Sequence, residues 1–153
     1  MDSSPPDLGR LSGDAQIFAR AILATHPEWT SGARVERSAD SWSFVVEVRA
    51  PDAAAPSVFV YADEDEITVA FDRWHAHYDT WAERPDEEGP TDARAVVEAL
   101  LAEQLAVAVM LRGSEWLESR IVRAGEAPQT PPAGARVYVR SWAGTLNSEL
   151  AAV

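Results

Sequence analysis

The first half of the chain combines one helical pattern with a series of strand patterns. Apolar residues recur at helical spacing from Gly13 to Thr25. His26-Pro27 is expected to end this helix, because the residue before a proline is pushed out of the helical region. Alternating apolar and polar residues, with turn residues between the runs, predict three strands at 42–49, 58–62 and 66–77.

The second half of the chain predicts one more helix and three more strands. Thr91 is expected to cap a helix that ends near Glu103, because residues 105–111 alternate as in a strand. A helix that continues through Met110 is the alternative interpretation of the 103–106 boundary. Arg112-Gly113-Ser114 predicts a hairpin turn. The remaining predicted segments are strands at 116–123 and 137–142, a loop at 124–135 and a short tail at 146–153.

The predicted element order is α-β-β-β-α-β-β-β, which places the chain in the α+β class. Short connections between the strands favour a mainly antiparallel sheet, and we expect the two helices to pack on one of its faces. Residues 1–12 are rich in Pro, Ser, Gly and Asp and are predicted to form a mobile N-terminal arm. Residues 13–150 are predicted to form a single domain, since 153 residues would divide poorly into two independent cores.

The composition excludes several kinds of site. The chain contains no cysteine, which removes disulfides, thiolate zinc sites and cysteine nucleophiles. Glycine-rich phosphate-binding motifs are also absent from the sequence, so no cofactor is expected. All 13 basic residues are arginine, and this bias, together with the many alanines, indicates a bacterial gene of high GC content.

The charge and hydropathy of the chain predict a cytoplasmic protein that attracts basic partners. A net charge of −12 disfavours binding to nucleic acid or to an anionic membrane, because like charges repel. The same charge attracts a basic protein over long distances. The N-terminus lacks a signal-peptide pattern, and no segment approaches the ~18 consecutive apolar residues that would span a membrane.

The densest cluster of chemically active side chains lies at 71–79, which reads FDRWHAHYD. If this segment is a strand, His75, His77 and Asp79 share one face. Two imidazoles and a carboxylate suit zinc or iron, so a zinc-binding protein or metal-dependent enzyme is the alternative function. The competing interpretation is an exposed surface of aromatic and histidine side chains where the strand emerges from the sheet. A serine-hydrolase site at Ser141 is disfavoured because the Gly-x-Ser-x-Gly motif is missing, and an enzymatic function is not favoured.

An aromatic cluster with an arginine is the strongest candidate for protein binding. Tyr138, Arg140 and Trp142 alternate along the last predicted strand, and Tyr, Trp and Arg are the residues enriched at interaction hot spots. The competing interpretation places Tyr138 and Trp142 in the core and pairs Arg140 with an acidic residue. The complete predicted partner surface consists of Trp74, Tyr78, Trp81, Tyr138, Arg140 and Trp142.

The segments 71–79 and 139–145, the second of which reads VRSWAGT, resemble small bacterial proteins that are similar to immunity proteins of polymorphic toxin systems. This resemblance implies a non-enzymatic protein that binds and blocks a co-encoded toxin, and it assigns no site residues. Together with the acidity, it predicts an immunity-type protein whose partner is a basic toxin. A homodimer formed through a sheet edge is a third hypothesis.

Overall fold

The computed structural model describes residues 5–80 and 89–152. Internal contacts divide the chain into two compact units that alternate along the sequence. The first consists of Met1–Val48, Val58–Ala70 and Ala76–Ala95, and the second of Arg49–Ser57, Phe71–His75 and Val96–Val153. The single domain predicted at 13–150 stays a prediction.

The first sheet has five strands in the order of the sequence, β1-β2-β3-β4-β5. Strand β2 pairs antiparallel with β1 on one side and with β3 on the other. Helix α1 precedes the sheet, and short 3-10 helices lie at Leu8–Arg10 and Pro27–Ser31. The bounds are α1 Gly13–Thr25, β1 Ala33–Ser38, β2 Ser41–Val48, β3 Val58–Ala62, β4 Glu66–Phe71 and β5 Trp74–Asp79.

The second sheet has four strands in the order β7-β6-β8-β9, and all of its neighbours are antiparallel. The bounds are α2 Pro90–Leu101, β6 Leu105–Arg112, β7 Glu115–Arg123, β8 Ala135–Arg140 and β9 Ser148–Ala151. Strand β6 is apolar on both faces, with residues 106–111 all buried. One face of the sheet carries a core cluster of Ala106, Ala108, Met110, Val122, Ala135, Val137 and Val139.

The predicted α+β class is confirmed, as are several element boundaries. Helix α1 ends at Thr25, before His26-Pro27. Helix α2 ends at Leu101 and β6 begins at Leu105, so the helix that continues through Met110 is excluded. The hairpin turn at 112–114 is present, with Gly113 at φ 60. The packing of both helices on one face stays a prediction.

The described residues contain nine strands in two sheets, whereas the sequence analysis predicted six strands in one. The segment Ala33–Ser38 pairs with β2 at the sheet edge, where a strand needs little apolar content. The predicted strand at 66–77 is a hairpin, because Asp72 turns the chain at φ 52. The predicted tail contains β9, which pairs with β8.

Helix α2 begins at Pro90, so Thr91 lies in its first turn, and the prediction that Thr91 caps the helix was wrong. The Asp92 carboxylate, also in the first turn, accepts a hydrogen bond from Gly89 N at 2.9 Å.

The predicted N-terminal arm makes contacts with helix α1. Leu11 is 7% exposed, and Gln16 donates to the Leu8 carbonyl at 2.7 Å. The mobility of that arm stays a prediction.

The core of the first unit forms where α1 contacts β2 and β3. Ser12 caps this helix by accepting a hydrogen bond from Ala15 N, and the apolar stripe of the helix is buried. The alternate residues of β2, β3 and β4 that face this core are also buried. They are Phe44, Val46, Val48, Val58, Val60, Ala62, Ile67 and Val69.

Within the described residues, no helix combines the length and the apolar character that crossing a membrane requires.

The two phenylalanines of β2 and β3 are expected to differ sharply in their contribution to stability. Phe44 is completely buried, whereas Phe59 is 43% exposed. We expect Phe44→Ala to lower the free energy of unfolding by about 3–5 kcal/mol, because it removes apolar contacts and leaves a cavity. Phe59→Ala should cost about 1 kcal/mol or less. Urea denaturation of both variants measures this, and equal losses would contradict the assigned inner face.

Candidate functional site

The outer face of the five-stranded sheet is the side opposite the core that α1 covers. Successive side chains of a strand point to opposite faces, so the residues that alternate with the core positions lie on this side. On β2, two of them, Ser43 and Val45, are themselves buried. The register places Arg34 opposite Val45, Glu36 opposite Ser43 and Glu47 opposite Phe59. The outer face as used below consists of Arg34, Glu36, Ser43, Val45, Glu47, Phe59, Tyr61, Glu66, Thr68 and His77.

Two aromatic residues of β3 occupy the middle of the outer face. Phe59 is 43% exposed, and Tyr61 lies opposite Val45 of the neighbouring strand. The hydroxyl groups of Tyr61 and Ser43 are 2.5 Å apart and share a hydrogen bond. Because Ser43 is completely buried, this bond satisfies a hydroxyl that would otherwise be costly to bury, and it orients the Tyr61 ring.

Polar pairs surround these aromatic residues. Nδ1 of His77 lies 2.6 Å from Oε1 of Glu66, and the Thr68 hydroxyl donates to the same carboxylate oxygen at 3.1 Å. On the other side of the face, Arg34 forms an ion pair with Glu36. The side chains of Arg34, Glu36, Glu66 and His77 are about half exposed, at 46–53%. Exposed pairs of this kind contribute about 0–1 kcal/mol, so they can rearrange around a partner at small cost.

An acidic cluster lies beside the β3–β4 turn. Asp63 holds the turn by accepting hydrogen bonds from the backbone of Asp65 and Glu66 at 3.0 and 2.9 Å. Thr80 joins the end of β5 to this turn, since its backbone N–H donates to the Asp65 carbonyl at 3.1 Å. The acidic cluster therefore consists of Asp63, Glu64, Asp65 and Asp79, of which the last three are exposed.

The predicted metal ligands all lie on β5. His75, His77 and Asp79 are exposed and occupy alternate positions of the strand, as the strand interpretation requires. Among residues 5–80 and 89–152, no group of three or more His, Asp or Glu side chains is arranged to hold a metal ion. Metal binding at these residues stays the alternative prediction.

A thermal measurement tests the metal alternative. If His75, His77 and Asp79 bind zinc, adding Zn²⁺ must raise the Tm of the native protein, because a ligand of the folded state stabilises it. The shift should disappear in a His75→Ala/His77→Ala variant and persist in His26→Ala, whose imidazole lies beside α1. An unchanged Tm at saturating Zn²⁺ would remove the alternative.

The predicted partner surface is placed on several elements. Trp74 lies half-buried on β5, whereas Tyr78 on the same strand is only 6% exposed. Trp81 lies outside the described residues. Tyr138 and Arg140 are half-buried on β8, and the half-buried Trp142 follows the end of that strand.

Tyr138 and Arg140 are engaged with each other. The Arg140 guanidinium lies 4.6 Å from the centre of the Tyr138 ring, and Nη1 of Arg140 donates to the Val139 carbonyl at 3.1 Å. Burial raises the pKa of Tyr138, and the Asp72 carboxylate raises it further through its charge and a hydrogen bond, while Arg73 and Arg140 act in the opposite direction. We name this group the Tyr138–Arg140 cluster.

The loop after β8 is held by Glu103, a residue that the sequence analysis did not identify as important. Glu103 adopts a left-handed backbone conformation at φ 56, which is uncommon for a non-glycine residue. Its carboxylate accepts hydrogen bonds from Ala143 N at 2.6 Å, from Thr145 N at 3.0 Å and from the Thr145 hydroxyl. This carboxylate therefore positions the segment that carries Trp142.

Hydrogen bonds also determine the charge state of Glu103. Burial acts to raise the pKa of its carboxyl, but the hydrogen bonds from Thr145, Ala143 and Ser141 outweigh burial and hold the pKa below its ordinary value of 4.5. Since the folded-state pKa is depressed, the carboxylate stabilises the fold above the ordinary pKa. This contribution is lost as the pH falls through the folded-state pKa.

Comparison of the chain with protein-family models, with curated proteins and with solved structures found no match. The resemblance of 71–79 and 139–145 to immunity proteins therefore stays a prediction.

Replacing Glu103 should lower stability in a pH-dependent way. We expect Glu103→Gln to reduce the free energy of unfolding by about 1–2 kcal/mol near neutral pH, because an amide cannot reproduce the charge-assisted hydrogen bonds. The difference from the unmodified protein should shrink as the pH falls below 4.5. Urea denaturation across this range measures it, with the exposed Glu115→Gln as control. A difference that does not depend on pH would contradict the role of the carboxylate.

Proposed function

We propose that this chain is a small acidic bacterial binding protein of the immunity type, which acts in the cytoplasm and neutralises a co-encoded basic toxin by protein–protein binding. The proposal assigns no catalytic step to the chain and no cofactor. Inhibition then depends on how fast the partner is captured and on how completely its functional surface is covered.

The observation that carries this proposal is the acidic cluster, on a chain whose net charge is −12. Glu64, Asp65 and Asp79 place three exposed carboxylates together at one end of the five-stranded sheet. Such a field attracts a positively charged protein and raises the rate of encounter by complementary electrostatics. The same negative charge disfavours binding of this chain to nucleic acid.

Two surfaces offer the short-range contacts that such a partner needs. One is the outer face in the first unit, where Phe59 is exposed. The other is the Tyr138–Arg140 cluster in the second unit, which belongs to the partner surface predicted from the sequence. Aromatic and arginine side chains supply most of the energy at interaction hot spots, so either group suits this role.

Affinity capture of the tagged chain from its native host tests the proposal. We expect one stoichiometric basic partner, encoded next to the gene for this chain, that is released as the salt concentration rises, because salt screens complementary charges. Expression of that partner alone should arrest growth, and co-expression of this chain should restore it. The absence of a stoichiometric partner, or a complex that does not weaken with salt, would contradict the proposal.

A further inference from the structure

We infer that the outer face of the five-stranded sheet is the docking surface for a basic segment of the partner protein, with Phe59 as its apolar anchor. The inference rests on the proposed function, which supplies the basic character of the partner. It goes further by naming the surface and the pattern that the partner must present.

The exposure of Phe59 distinguishes it from the other phenylalanines. The chain has four, and the remaining three, Phe18, Phe44 and Phe71, are at most 1% exposed. Phe59 instead lies directly opposite Glu47 of β2, and Tyr61 lies two residues along β3 on the same face. An aromatic ring in this central position can bury a large area when a partner excludes water from it.

The charges of the outer face and of the acidic cluster select the partner. Glu47 lies directly opposite Phe59 and is followed two residues later by Arg49, while Glu36 and Glu66 lie farther along the strands, toward the β3–β4 turn. The acidic cluster lies at the same turn and adds further negative charge at that end of the strands. A segment with an apolar residue at Phe59 and lysine or arginine side chains toward the β3–β4 turn therefore complements this face.

The other exposed aromatic residue on a described strand lacks this setting. Trp116 on β7 is 52% exposed, but its indole N–H donates to the Ser119 hydroxyl at 2.7 Å. Its strand carries both signs of charge, from Glu115, Glu118 and Arg120. Trp116 is therefore the control, an exposed aromatic side chain that lies on the other sheet and outside the outer face.

Contacts within the outer face reduce the cost of binding. The hydrogen bond to the buried Ser43 hydroxyl already holds the Tyr61 side chain in place. Side chains that are ordered before binding lose less conformational entropy when the partner arrives. The outer face is therefore partly organised for docking in the free protein.

The test uses two synthetic peptides of equal length and charge, one alternating arginine with leucine and one alternating arginine with glycine. Binding of each to the full chain is measured by calorimetry at low salt. We expect the arginine–leucine peptide to bind more tightly, because only leucine can pack on Phe59. Phe59→Ala should weaken that peptide by roughly tenfold, which corresponds to about 1.4 kcal/mol, and bring it close to the arginine–glycine peptide.

A second variant, a control and a competing-surface variant locate the effect. Glu66→Gln should weaken both peptides several-fold and flatten their salt dependence, because it removes one charge from the outer face. Trp116→Ala is the control and should leave both affinities unchanged, whereas Arg140→Ala tests the competing Tyr138–Arg140 cluster. The Tm of each variant confirms that the fold is retained before binding is compared.

The outcomes separate this inference from the proposed function. If the peptides bind but Phe59→Ala has no effect, the docking surface is wrong and the proposed function stands; a loss in Arg140→Ala would move the surface to the Tyr138–Arg140 cluster. If neither peptide binds at low salt, the inference fails, whereas the proposed function is decided separately by the affinity capture. If the chain sediments as a dimer and the Phe59→Ala variant sediments as a monomer, the outer face binds a second copy of the chain and the inference is wrong.

Discussion

The burial of one face of the five-stranded sheet is the constraint on which the rest of the first unit depends. Phe44, Val46 and Val60 are fully buried on the side where α1 packs against β2 and β3. Because a strand alternates its side chains with a period of two, this burial also determines what the opposite side presents. Phe59 and Glu66 reach the outer face since Val60 and Ile67 must reach the core.

Local sequence patterns predicted the elements that carry strong periodicity. The predictions of helix α1 and of the boundary between α2 and β6 were correct. Both rest on the spacing of apolar residues and on turn residues within a few positions of each other in the sequence. Strand β1 was missed because its stability comes from pairing with β2 rather than from its own apolar content. Asp72 was interpreted as part of one long strand. The chain turns there at an aspartate in the left-handed conformation, and neither glycine nor proline marks the turn in the sequence.

The candidate site was less predictable than the fold. Alternation on β5 correctly placed His75 and His77 on one face, but the contact of His77 with Glu66 joins residues 11 positions apart and depends on strand pairing. Glu103 holds residues 40 and 42 positions away, so no local pattern could indicate its role. Phe59 was assigned to a strand without a role, since a single sequence does not reveal which aromatic residues of a half-buried strand stay exposed.

The account of function combines long-range attraction with a short-range anchor. Under the proposed function, acidic groups at the β3–β4 turn and on the outer face accelerate capture of a basic protein, while Phe59 supplies the apolar contact that slows its release. In the Tyr138–Arg140 cluster, the guanidinium lies over the Tyr138 ring and donates to the Val139 carbonyl. The outer face also has an internal hydrogen bond, between Ser43 and Tyr61, so the exposure of Phe59 is what distinguishes the two surfaces.

An NMR titration of the isotopically labelled chain with the arginine–leucine peptide tests the central claim most directly. The account predicts that the resonances that move most belong to residues 43–47, 58–62 and 66–70, with the largest ring-current changes around Phe59. Shifts concentrated at 136–142, or spread evenly over all acidic residues, would show that the outer face of the five-stranded sheet is not the docking surface.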